Sequence, residues 1–80
     1  MTIHVLDDSG HFVVVRCHST ESKDVTSALG EDGYTHGKIR SVDDIPQLVD
    51  INVKKNDSWS AIDGKALRDL FRKKGFEVAD

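Results

Sequence analysis

Thr2-Ile3-His4-Val5-Leu6-Asp7-Asp8-Ser9-Gly10-His11-Phe12-Val13-Val14-Val15-Arg16-Cys17 opens the chain, and its reading decides the fold. Two runs rich in β-branched residues flank an Asp-Asp-Ser-Gly turn, the pattern of a β-hairpin with strands over 2–6 and 11–17. Successive side chains of a strand point to opposite faces, so the register decides which residues meet the core. Pairing Leu6 with His11 puts Ile3, Val5, Phe12 and Val14 on one face. A two-residue Ser9-Gly10 loop would instead oppose Asp7 to Phe12 and Ile3 to Arg16, and is the poorer register. The first leaves Leu6, Val13 and Val15 on the second face, which predicts a central second strand covered on both sides.

Beyond the hairpin, Ser19 or Thr20 suits a helix cap, with Glu21 and Asp24 in or near the first turn, where acidic charge complements free amides. Val25, Ala28 and Leu29 form an inner stripe, and Gly30 or Gly33 ends the helix. Residues 34–42 read as extended, with a strand around Lys38–Val42. Ser41-Val42-Asp43-Asp44 has capping-box-like spacing and Pro46 is tolerated in a first helical turn, so Ile45–Val49 reads as either a short helix or an extended segment. Val49, Ile51 and Val53 alternate with Asp50 and Asn52, as a strand does. A turn follows at Lys55-Asn56-Asp57.

The end of the chain has a complete helix grammar. Asp63 caps it, Ala66, Leu67, Leu70 and Phe71 share one face, and Gly75 provides a left-handed stop with Phe76 packing back on Phe71. Lys65, Arg68 and Arg72 lie opposite, with Lys73 and Lys74 in the last turn, and a short Phe76–Val78 strand follows. The order predicts a small single α+β domain over residues 1–80: an N-terminal β-hairpin in a mainly antiparallel sheet, with two or three helices packed against it.

Eighty residues support one core and a net stability of roughly 4–12 kcal/mol. The longest apolar run, Phe12 to Val15, is far short of the ~20 residues a membrane helix needs. Met1–Asp8 lacks the basic start and apolar centre of a signal peptide. A single cysteine excludes an intramolecular disulfide framework, and a cytoplasmic setting is expected. Net charge is −3, unevenly spread: residues 1–33 carry six acidic residues against Arg16 and Lys23, whereas 65–74 carries five basic residues against Asp69 alone.

Catalytic patterns are weak. Cys17 and His18 are adjacent, but neighbouring strand residues face opposite ways, so a buried cysteine beside a surface histidine is expected. His4, His11, Cys17, His18 and His36 show no metal-ligand spacing, so neither a metal nor a cofactor is expected. The acidic pairs at 7–8, 31–32 and 43–44 read as turn and cap residues rather than as a phosphate mimic. The six glycines fit neither a P-loop nor a dinucleotide fingerprint.

Partner binding is the better supported class. Lys65, Arg68, Arg72 and Lys73 form a basic stripe suited to an acidic protein patch or to phosphates, although no aromatic residue interleaves for base stacking. Trp59 is either a core anchor or, if exposed, an interface hot spot. Residues 62–78 also resemble the helix–strand opening of HicA-type RNA-cleaving toxins. In that family a glycine-serine-histidine strand follows and supplies the catalytic histidine. Here the sequence ends at Asp80 without one, so the resemblance implies no ribonuclease activity. The expected function is a non-enzymatic, cytoplasmic protein-binding regulator or inhibitor that occludes a partner's surface, of the kind common among phage and mobile-element proteins. The alternative is a nucleic-acid binder using the basic helix face; no membrane association is expected.

Overall fold

The computed structural model describes residues 2–7, 13–55 and 62–79. Strands β1 (Thr2–Asp7) and β2 (Val13–His18) are followed by a 3-10 turn over Ser19–Glu21 and helix α1 (Ser22–Glu31). Then come β3 (Tyr34–Val42), β4 (Ile45–Lys55), helix α2 (Gly64–Lys73) and the short β5 (Glu77–Val78). The strands form one sheet in the order β3-β4-β2-β1-β5. Neighbours pair antiparallel except β1 and β5, which run parallel, so the sheet is mixed rather than mainly antiparallel. The parallel pair follows from the chain leaving β4, crossing over through α2 and returning beside β1.

β1 and β2 do pair antiparallel, but in a different register from the one the turn signal suggests. Leu6 lies opposite Val14 and Val5 opposite Val15. His11, Phe12 and the connecting turn lie outside the described residues. The shift from a Leu6–His11 pairing is an odd number of residues, so it exchanges the two faces of β2. Val13, Val15 and Cys17, not Val14, join Ile3 and Val5 in the core. The physical reason lies on β4, which pairs β2 from its other side. There Val49, Ile51 and Val53 oppose Cys17, Val15 and Val13. Turning Val14 inward would bring Arg16 and His18 with it, opposite Asp50 and Leu48. A strand bonded on both edges must suit both neighbours, and only the odd-numbered face of β2 is uniformly apolar.

The helices cover that odd-numbered face. Val25, Ala28 and Leu29 of α1, with Leu67 and Phe71 of α2, complete one buried cluster with the strand residues. The even-numbered face carries His4, Leu6, Val14, Arg16, His18, Leu48, Asp50, Asn52 and Lys54, none of them buried. Among the described residues the second strand is therefore covered on one side only, and Leu6 stands 40% exposed.

Of the two readings of Ile45–Val49, helix or extended, the structure has the extended one: the segment is the start of β4, and the described residues form no third α-helix. Val42 pairs with Ile45 while Ser41 pairs with Val49, so residues 46–48 have no partner on β3, although Leu48 still pairs with His18 of β2. A bulge tolerates Pro46, which has no N–H to donate. Cross-strand pairing on both sides outweighs a weak helix-start signal that has only a few residues to propagate. Upstream, α1 begins at Ser22 rather than directly after Ser19 or Thr20. The 3-10 turn intervenes, capped by the His18 ring, whose Nδ1 accepts from the Thr20 N–H at 3.2 Å.

α2 follows its sequence grammar closely. Asp63 Oδ1 accepts from the Lys65 N–H at 3.0 Å. At the other end Gly75 has φ +95°, Phe76 N–H donates to Phe71 O at 2.9 Å and Gly75 N–H to Arg72 O at 3.0 Å. Those two bonds are the Schellman pattern, and glycine adopts this backbone without the strain a Cβ would add. The Phe71 and Phe76 rings meet edge to face with centroids 5.7 Å apart. Ala66, expected on the inner face, is exposed; Leu67 and Phe71 are buried and Leu70 half-buried.

Candidate functional site

The basic row of α2 divides once its contacts are traced. Lys65, Arg72 and Lys73 are exposed. Arg72 approaches Asp69 one turn away, with 3.8 Å between nitrogen and oxygen, a loose surface pair of small energetic weight. Arg68 behaves differently. It is half-buried, and its Nη2 donates to the Val5 carbonyl at 2.9 Å, bridging α2 to β1. The Arg68 Nε is enclosed with no hydrogen-bond partner among the described residues. Half-buried, with its head bonded to a backbone acceptor on the sheet, Arg68 is mainly structural. Lys74, just past the helix, pairs with Glu31 and ties the ends of the two helices together. Three of the four basic helix residues expected to bind a partner therefore present themselves outward. Trp59 lies outside the described residues.

A second polar constellation crosses the open sheet face. Arg40, Asp50, Arg16 and His4 lie directly opposite one another on β3, β4, β2 and β1. Arg16 grips Asp50 with two bonds, Nε to Oδ1 at 2.8 Å and Nη2 to Oδ2 at 3.0 Å. The fork geometry suits a carboxylate, and it raises the Arg16 pKa further, first through the hydrogen bond and then through the charge of Asp50. Beside this row lies a groove of about 520 Å³, lined among others by Val14, Arg16, Arg40, Asp43, Asp44 and Asp50. With two guanidinium groups and three carboxylates in it, the groove has no single sign of charge. Sequence reading missed this row because it placed Arg16 on the wrong face.

The candidates for chemistry separate as strand alternation requires. Cys17 is fully buried on the helix side. Burial above all, then the charges of Glu21 and Asp50, pushes its thiol up to about 11. His18 occupies the opposite face, with Nδ1 2.7 Å from Thr20 Oγ1. The thiol is thus protonated and enclosed at neutral pH, the reverse of an activated nucleophile. Among the described residues no three His, Cys, Asp or Glu side chains gather as metal ligands would. No described helix is long and apolar enough to cross a membrane.

Comparison with protein-family models, with curated proteins and with solved structures found nothing that matches this chain.

Proposed function

We propose that this chain is a non-enzymatic, cytoplasmic protein-binding module that regulates or inhibits a partner by occluding its surface. The observation that carries the reading is the outward row Lys65, Arg72 and Lys73 on a helix anchored along its inner face and at both ends. The inner face of α2 is packed through Leu67 and Phe71, its start is capped by Asp63 and its end is closed at Gly75. Basic groups held on such a preorganised element lose little conformational freedom when they dock. The chain as a whole is acidic at −3, so long-range attraction to phosphate is weak and an acidic protein patch is the better match. The buried thiol of Cys17 supports a binding role over nucleophilic chemistry, and a lone cysteine suits a reducing compartment.

The test is capture of a partner from lysate with and without nuclease, repeated with Lys65→Glu, Arg72→Glu and Lys73→Glu combined. Arg68 is left alone because reversing it would also break its bond to Val5. Nuclease-resistant capture that the triple variant loses, with an effect that shrinks as salt rises, supports the reading. Affinity for duplex DNA or RNA is expected to be weaker than about micromolar at physiological salt. Nanomolar nucleic-acid binding abolished in the triple variant would replace this reading with the nucleic-acid one.

A further inference from the structure

We propose that the outer edge of β3 is a docking site for an extended acidic segment of a partner protein, added to the sheet as a further strand. The inference rests on the protein-binding reading above and names a second contact surface with its ligand chemistry. β3 is the terminal strand on its side of the sheet and spans nine residues, whereas the opposite edge, β5, spans two. Along an edge strand, alternate N–H and C=O groups point away from the sheet and can pair with another chain. Natural edges are shielded by shortness, by charge or by bulges. β3 is long, and its charge is of one sign: Lys38 and Arg40 are exposed and no acidic residue lies between Tyr34 and Val42.

The bulge in β3 sharpens this pattern. His36 opposes Val53 and Ile39 opposes Ile51, so Gly37 and Lys38 together face the single residue Asn52. A Cβ at Gly37 would lie 3.7 Å from the Asn52 Cβ, which places this pair on the open face of the sheet. Lys38 thus joins Arg40, which lies opposite Asp50 on that face. Ile39 between them turns to the helix side and remains 38% exposed at the edge. A strand laid along β3 therefore meets basic, aliphatic and basic positions in turn, and its complement reads acid, aliphatic, acid. Asp50 neutralises Arg40 only in part, because both its carboxylate oxygens are held by Arg16. Asp43 and Asp44 in the following turn mark the far end of the footprint, where an acidic segment is repelled.

A second copy of this chain is the poorer occupant. Antiparallel self-pairing about Ile39 sets Lys38 opposite the other copy's arginine, and self-pairing about Lys38 opposes two lysines. Like charges directly opposite destabilise a strand pair. Pairing with the other copy's β5 offers a ladder of only two residues.

The experiment is an NMR titration of the isotope-labelled chain with a capped peptide alternating glutamate and valine. Amide shifts and slowed hydrogen exchange concentrated over residues 35–41, weakening as salt rises, are expected. The same peptide with lysine for glutamate should bind at least about tenfold more weakly, and Lys38→Glu with Arg40→Glu should reverse that preference. A peptide N-methylated at alternate positions cannot donate ladder bonds and should lose binding. Should the double reversal lower stability, Lys38→Gln with Arg40→Gln, both at exposed sites, serves in its place and should weaken the acidic peptide. Shifts that map elsewhere, no binding, or equal binding of the acidic and basic peptides would overturn the proposal. Such a failure leaves capture through α2 untouched, since Lys65, Arg72 and Lys73 are not varied.

Discussion

Replacing Val15 with Asp should unfold this protein, whereas the same change one residue earlier, Val14→Asp, should not. Val15 is fully buried on the central strand, opposite Val5 on one side and Ile51 on the other. Losing a buried valine side chain removes about 1.5–3 kcal/mol of transfer free energy. A carboxylate enclosed there without a partner adds a penalty of several kcal/mol more, even after it takes up a proton. Together these rival the whole stability of roughly 4–12 kcal/mol expected for a chain of this length. Val14 sits half-buried on the face away from the helices, opposite Leu6 and Asn52. A carboxylate there stays in contact with water, so the loss is about 1 kcal/mol, or a melting temperature lower by roughly 4–8 °C. Val15→Ala gives a graded version: two carbons at about 0.8 kcal/mol each, plus a small cavity, come to about 2 kcal/mol. Circular-dichroism melts and the dispersion of amide NMR signals read all three. A cooperative Val15→Asp melt within a few degrees of wild type, or an unfolded Val14→Asp, would refute the face assignment.

Cys17 should resist thiol reagents at pH 8 in the native protein and react quickly in denaturant. Because its folded pKa is raised to about 11 from 9.0, the folded state holds its proton where the unfolded state releases it. The resulting stabilisation is full below the unfolded value and falls away as pH climbs through the window between those values, which melts of wild type against Cys17→Ala should show. Asp63→Ala removes the cap on α2 and should lower stability by about 1 kcal/mol, with Asp63→Asn recovering most of the loss. A melt of Asp63→Ala unchanged from wild type would show that the cap contributes nothing.

The parts legible in the sequence are those specified within one turn of chain. α2 is the clearest case. An acidic residue before it, apolar residues at helical spacing and a glycine after it each act through bonds a few residues long, and the cap at Asp63 and stop at Gly75 follow. Arg68 fell outside this local logic. A helical wheel places it with Lys65 and Arg72, yet an acceptor 63 positions away in sequence, the Val5 carbonyl, draws it inward. The candidate partner surface was therefore readable as a basic helix face, but which of its members turns inward was decided by β1.

The β-register needed the same kind of distant information. From the first two strands alone, either face of Val13-Val14-Val15 looks equally apolar. What breaks the tie is that Arg16 and His18 share the parity of Val14, while Asp50, Asn52 and Lys54 share one parity on another strand. Each of these two strands thus has one clean apolar face and one largely polar face, and pairing them apolar to apolar leaves the polar face uncovered by any described helix. The turn signal Asp-Asp-Ser-Gly speaks only for the pairing of β1 with β2, whereas β2 also bonds to β4 through six registered pairs. A strand held on both edges takes the register that satisfies the longer apolar match. The same choice exposes the row from Arg40 to His4 and leaves β3 at the margin of the sheet. The candidate docking edge is thereby a consequence of how the core was solved, with its basic residues placed on the long terminal strand of the described sheet.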